Sequence, residues 1–138
     1  MFKILVADDD ALSSIIQRFL VGKGFQVLLA EDGEQTLKII STEKPQLLIL
    51  DLSMPKKNGY EVCAAVRADS DSEISGIKIV VTSAKQYKVD IRAAQEAGAD
   101  DYLTKPYHIA DLMAAIERLL YKHSAARSLS STKKKTSY

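Results

Sequence analysis

Several residues with reactive or charged side chains follow short apolar runs in this sequence. Residues 8–10 are all aspartate, and Asp51 follows a second run. Thr82–Ser83 and Lys105 end or follow two further runs. Carboxylates that lie close together repel one another unless a proton or a cation neutralises them. Mg²⁺ suits this role, because it takes one or two protein carboxylates together with phosphate oxygens and water.

These side chains together fit phosphoryl transfer, which depends on positioning and charge neutralisation more than on elaborate covalent chemistry. Lys105 supplies a positive charge for a phosphoryl group, and Ser83 supplies a hydroxyl donor. Because no pairing of Ser or Cys with His is evident in the sequence, the nucleophile would be a carboxylate. We therefore predict a Mg²⁺-dependent phosphoryl site.

Each of these residues also has a simpler interpretation. Asp10 could cap a helix, and Asp51 could serve only in a turn. Lys105 taken alone is typical of a solvated surface lysine. The prediction of a site therefore depends on all of these residues lying at one edge of the fold.

Five strands separated by helices must position these residues. Short runs rich in Val, Ile and Leu predict strands that are buried on both faces. The runs are Phe2–Ala7, Phe25–Ala30, Gln46–Leu50, Ile77–Thr82 and Tyr102–Thr104. Apolar residues at helical spacing lie between them, most clearly in Leu12–Leu20, with a final stripe in Ile109–Leu120. The acidic stretch 69–73 is expected to be a surface loop.

The alternation of strand and helix predicts an α/β fold, and five units are too few for an eight-stranded barrel. An open, doubly wound parallel sheet is the remaining common solution, and it binds ligands outside the carboxyl ends of its strands. In the strand order 2-1-3-4-5, the first and third strands are neighbours. Asp8, Asp9 and Asp51 would then converge at one edge of the sheet.

The composition indicates one globular domain. The 138 residues are 46% apolar and 27% charged, which excludes a mainly disordered chain. Cys63 is the only cysteine, so a disulfide framework and a cysteine-based zinc site are excluded. No apolar run approaches the roughly 18 residues of a membrane helix, and the sequence turns acidic too early for a signal peptide. We therefore expect a cytoplasmic protein with no membrane span.

Residues 1–121 form the predicted domain, and residues 122–138 differ from it in composition. The second segment holds five basic and no acidic residues and is rich in Ser, which predicts a disordered tail or linker. No helix-turn-helix pattern follows residue 121, and we expect no direct DNA binding.

Four motifs within residues 1–121 resemble the receiver domain of bacterial two-component response regulators. They are Ile4–Asp10, Leu50–Gly59, Val81–Ala84 and Ala97–Pro106. Each motif alone is weak, but their order and spacing together are specific. The resemblance implies a (βα)5 flavodoxin-like fold with an open five-stranded parallel sheet. The chain would be either a stand-alone receiver of the chemotaxis type or a receiver from a longer protein.

The resemblance also implies a role for each matched residue. Asp51 would accept a phosphoryl group from a sensor histidine kinase or a histidine phosphotransfer protein. Asp9, Asp51 and the backbone carbonyl of Ser53 would bind Mg²⁺, or Mn²⁺ in its place, and Asp8 would assist through water. The protein would be a signalling receiver that catalyses only its own Mg²⁺-dependent phosphorylation and slow dephosphorylation.

The remaining implied roles concern the phosphoryl group and the switch. Lys105, Ser83 and the Ala84 N–H would bind the phosphoryl group, with Thr82 as a rival for the hydroxyl role. Ser83 and Tyr102 would then change the surface made by the fourth strand, the following helix and the fifth strand. That surface would meet a downstream protein, and a homodimer would use the same helix, the fifth strand and the last helix. The bond before Pro106 would be cis.

Two other functions remain open from the sequence. A receiver-like module could bind partners without phosphorylation, although the intact acidic cluster counts against this. A small Mg²⁺-dependent phosphohydrolase could act on free substrates, although the sequence offers no covering domain and no obvious substrate pocket.

Overall fold

The computed structural model describes residues 1–11, 13–85 and 87–121. Its core is a parallel sheet of five strands in the order β2-β1-β3-β4-β5. The strands are β1 (Lys3–Ala7), β2 (Gln26–Ala30), β3 (Leu47–Asp51), β4 (Lys78–Ser83) and β5 (Asp101–Thr104). The predicted α/β class, the parallel sheet and the strand order are confirmed. The tail predicted for residues 122–138 lies outside the described residues.

The helices cover both faces of the sheet. They are α1 (Ser13–Gly22), α2 (Gly33–Glu43), α3 (Gly59–Arg67), α4 (Ser72–Ser75), α5 (Lys88–Ala97) and α6 (Ile109–Leu120). Buried residues of α2, α3, α4 and α5 pack in one apolar core, and those of α1 and α6 pack in another. The central strand β3 is buried along its whole length, as its unbroken apolar run predicts.

Side-chain caps fix the starts of α2 and α3. Asp32 accepts a hydrogen bond of 2.8 Å from the Gln35 N–H at the start of α2. Asn58 and Glu61 form a reciprocal capping box at the start of α3. Such caps satisfy amide groups that would otherwise lack partners, so both helix starts are well defined.

Two details differ from the sequence predictions. The expected loop at 69–73 runs into the short helix α4, because Asp71 caps its first turn and Ile74 is buried against the core. Ile15 and Ile109 belong to the predicted apolar stripes, but they are 57% and 38% exposed. Leu12, which begins the first stripe, lies outside the described residues.

None of the helices within residues 1–11, 13–85 and 87–121 is both long and apolar enough to cross a membrane.

Candidate functional site

An acidic cluster lies at the carboxyl end of the sheet. Asp51 is the last residue of β3, and Asp8 and Asp9 directly follow the neighbouring strand β1. One carboxylate oxygen from each of the three lies within 4.8 Å of the others. Asp51 is buried, Asp8 is half-buried and Asp9 is exposed. Three converging hard oxygen donors, one of them open to solvent, fit a hydrated Mg²⁺ ion.

Backbone amides of the adjoining turns orient two of these carboxylates. The Asp10 N–H donates to Asp8 Oδ1 at 2.8 Å, and the Ser53 N–H donates to Asp51 Oδ1 at 3.1 Å. One oxygen of each carboxylate is therefore hydrogen-bonded to the backbone. Ser53 itself is exposed and follows the strand by two residues, so its backbone lies beside the cluster.

Lys105 is the positive charge of the site. Its Nζ atom lies 3.1 Å from Asp8 Oδ2 and 3.7 Å from Asp51 Oδ2. Its backbone N–H donates to the Ser83 carbonyl at 2.7 Å, and the bond to Pro106 is cis. Burial acts to lower the pKa of Lys105, but the ion pair with Asp8 and the nearby carboxylates outweigh it and raise that pKa. The lysine therefore stays charged.

The carboxyl group of Asp51 is destabilised in its ionised form. Burial raises its pKa above the ordinary aspartate value, and the charge of Asp8 adds to this effect. The Ser53 N–H and the charge of Lys105 act in the opposite direction but do not cancel it. A divalent cation would supply the missing counter-charge.

We expect Asp51→Asn to stabilise the metal-free fold by about 1–3 kcal/mol at neutral pH. A raised folded-state pKa means that the folded chain binds a proton before the unfolded chain does as the pH falls. The advantage of the variant should therefore shrink as the pH falls through the raised pKa toward the ordinary aspartate value. Urea unfolding in EDTA at several pH values measures this, and an advantage that grows at low pH would contradict it.

The predicted switch residues, Ser83 and Tyr102, are linked through Lys85. Ser83 is buried, and its Oγ accepts a hydrogen bond of 3.0 Å from the Lys85 N–H. The hydroxyl of Tyr102 donates to the Lys85 carbonyl at 2.7 Å.

Thr82, which is also buried, pairs with Asp51 in the strand register. The choice between Ser83 and Thr82 as phosphoryl ligand stays a prediction, and Ala84 is exposed beside them.

A cleft beside the cluster was not anticipated from the sequence. It has a volume of about 460 Å³ and lies between the start of α1 and the segment that joins β5 to α6. Ile15, Ile16, Ile109 and Tyr107 give it an apolar lining, and Asp8 and Lys105 border it. The first-turn positions of Ile15 and Ile109 at the site edge are the sequence signal that could have revealed it. Burial raises the pKa of Tyr107, which therefore stays neutral.

Comparisons with known proteins agree with this geometry. The sequence model of the family described as "Response regulator receiver domain" matches residues 4–117. The DNA-binding response regulator MtrA of Mycolicibacterium paratuberculosis is 39% identical over 122 residues, which are 88% of this chain and 52% of that protein. The crystal structure of a response regulator from Chloroflexus aurantiacus has a TM-score of 0.80 at 30% identity, covering 87% of this chain and 98% of that one.

A third similar protein bears on the metal. It is the receiver domain of sensor histidine kinase PA1611 from Pseudomonas aeruginosa, with a TM-score of 0.77 at 25% identity and coverage of 86% and 96%. Its structure has a magnesium ion coordinated in the active-site cleft. The acidic cluster of the present chain offers carboxylate oxygens, which are donors that Mg²⁺ prefers.

The comparisons overturn one prediction and leave another unconfirmed. We expected no direct DNA binding, but relatives with 39% identity carry "DNA-binding" in their names. That expectation rested on a missing motif, and the chain spans about half the length of these relatives. The lack of a helix-turn-helix motif in so short a segment could not support the conclusion that the protein does not bind DNA. The interpretation as a stand-alone, chemotaxis-type receiver is also not confirmed, because the relatives are longer and are named DNA-binding response regulators.

Proposed function

The chain belongs to the response regulator receiver domain family, and on that premise we propose that it accepts a phosphoryl group on Asp51. The donor would be the phosphohistidine of a sensor histidine kinase or of a histidine phosphotransfer protein. The observation that carries this proposal is the convergence of Asp8, Asp9 and Asp51 with Lys105 only 3.7 Å from the Asp51 carboxylate.

Asp9, Asp51 and the Ser53 carbonyl would hold the metal ion, and Asp8 would assist through water. When bound, Mg²⁺, or Mn²⁺ in its place, would neutralise charge on the carboxylates and the phosphoryl oxygens. The exposed position of Asp9 leaves room for the waters that Mg²⁺ retains.

The residues of the chain supply the nucleophile and its charge partners. A carboxylate oxygen of Asp51 would form a bond to phosphorus as the bond from phosphorus to the histidine nitrogen breaks, and the electron pair would return to the imidazole. Lys105 would attract the phosphoryl oxygens. Because the site is partly buried, this positive charge would stabilise the negative charge of the phosphoryl group more strongly than it would in water. Ser83 and the Ala84 N–H would donate hydrogen bonds to the same group.

The response would be a change in the β4–α5–β5 face. Ser83 would exchange its bond with the Lys85 N–H for one with the phosphoryl group, and Tyr102 is tied to the same residue through its hydroxyl. A downstream protein would bind this face. A homodimer would use α5, β5 and α6.

The names of the relatives favour DNA as the endpoint of the signal. We propose that phosphorylation of this chain raises the affinity of the protein for DNA. Titration of fluorescent duplex DNA with phosphorylated and unphosphorylated protein tests this. Tighter binding after phosphorylation supports the proposal, and equal binding contradicts it.

The chemistry is tested by intact mass after incubation with acetyl phosphate, in Mg²⁺ and in EDTA. We expect a gain of one phosphoryl group in Mg²⁺ only. No gain, with Mg²⁺ binding demonstrated by calorimetry, would favour an interaction module that needs no phosphorylation. Multiple turnover of small phosphate esters would favour a phosphohydrolase.

A further inference from the structure

In the proposed function, the segment that follows β3 holds the Ser53 carbonyl near the acidic cluster. We name residues 52–58 the metal-binding loop, since Ser53 belongs to it. Leu52 and Met54 are buried and anchor its first half. Residues 55–58 are exposed, so packing in the apolar core does not hold them in place.

Contacts with the start of α2 hold these residues instead. The Gly33 N–H donates to the Pro55 carbonyl at 3.3 Å. Lys56 Nζ lies 3.6 Å from Asp32 Oδ2. Lys56 has a φ of 69°, a strained value that a lysine adopts only where its surroundings hold it. The second half of the loop is therefore fixed by contacts with α2.

Only glycine allows this approach at residue 33. A Cβ atom there would lie 2.5 Å from the Lys57 Cβ and 2.8 Å from the Lys57 carbonyl carbon, and it would overlap the carbonyl oxygen. Backbone atoms cannot rotate away as the end of a flexible side chain can. Any larger residue must push the loop off the helix start.

We propose that Gly33 is a positioning residue for the metal site. By letting the backbone of residues 55–57 lie against α2, it holds the Ser53 carbonyl at the cluster of Asp9 and Asp51. This inference rests on the proposed function, because it assumes that the cluster binds Mg²⁺. It adds a residue from a third element of the fold to a site built on β1 and β3.

The test is calorimetric titration of the full chain with MgCl₂. We expect Gly33→Ala to weaken Mg²⁺ binding roughly tenfold or more, the effect of losing a residue that orients a ligand. Gly22→Ala is the matched control, because a Cβ on Gly22 meets nothing within 4 Å and binding should be unchanged. Unchanged affinity in a folded Gly33→Ala protein would overturn the proposal.

A kinetic readout separates positioning from a loss of stability. The Mg²⁺ concentration for half-maximal phosphorylation by acetyl phosphate should rise with the dissociation constant, while the rate at saturating Mg²⁺ stays at the native value. A reduced rate at every Mg²⁺ concentration, with unchanged half-saturation, would overturn the proposal.

A second variant covers the case in which Gly33→Ala does not fold, as judged by circular dichroism. One glycine inserted between Lys56 and Lys57 lengthens the loop without adding an atom to α2. It should also weaken Mg²⁺ binding, and native affinity in this variant would overturn the role of the loop contact. A native chain that binds no Mg²⁺ would instead overturn the proposed function itself.

Discussion

Replacing Lys105 by methionine is expected to slow phosphorylation by acetyl phosphate by about a hundredfold or more at saturating Mg²⁺. The Lys105 ammonium is the positive group nearest the Asp51 carboxylate among those whose ion pairs the structure describes, at 3.7 Å from Asp51 Oδ2. Methionine has a similar length but carries no charge, so the phosphoryl group would lose its positively charged partner and keep only its hydrogen-bond donors. The initial rate is measured by intact mass against time.

The matched control is Lys85→Met. Lys85 is exposed, and its contacts with Ser83 and Tyr102 use only backbone atoms, which the substitution leaves in place. This variant should react at close to the native rate. A native rate for Lys105→Met would show that Lys105 takes no part in phosphorylation. Its role would then be limited to the ion pair with Asp8.

Replacing Arg67 by methionine is expected to lower the free energy of unfolding by about 3 kcal/mol. The guanidinium group of Arg67, at the end of α3, donates to the carbonyls of Ser75, Ile77 and Gly98 at 2.6–2.9 Å. It also donates to Asp100 Oδ2 at 2.8 Å, and the same oxygen accepts from the Ile79 N–H. Methionine would remove this donor from the three carbonyls and would leave Asp100 without its counter-charge.

Urea unfolding measures the effect, with Arg92→Met as control. Arg92 is an exposed residue of α5, and its substitution should change stability by no more than about 0.5 kcal/mol. The two variants remove the same charge, so they separate the role of this hydrogen-bonded network from that of net charge. Equal unfolding midpoints for the two would contradict the structural role of Arg67.

The sheet and its reactive edge could be predicted because they depend on local signals. The strands of this parallel sheet are largely apolar runs, so the predicted and observed limits of β1, β2 and β3 differ by at most one residue at either end. The topology then brings strand ends together. The sequence and the strand order therefore suffice to predict that Asp8 and Asp51 lie near each other.

Other features depend on distant contacts that leave little trace in sequence. The approach of Gly33 to Lys57 and the four bonds of Arg67 each join separate elements. Ile15 and Ile109 fit the apolar periodicity of their helices, yet both lie at an open cleft rather than in the core. Periodicity identifies the face of a helix but does not show where along that face the core ends.

The proposed role of Asp51 as phosphoacceptor is tested most directly by comparing the intact masses of the native chain and of Asp51→Asn after acetyl phosphate treatment in Mg²⁺. Asp111→Asn, on the exposed surface of α6, controls for the change of chemistry. We expect one added phosphoryl group on the native and Asp111→Asn proteins and none on Asp51→Asn. A phosphoryl group on Asp51→Asn would contradict this expectation and place the acceptor elsewhere.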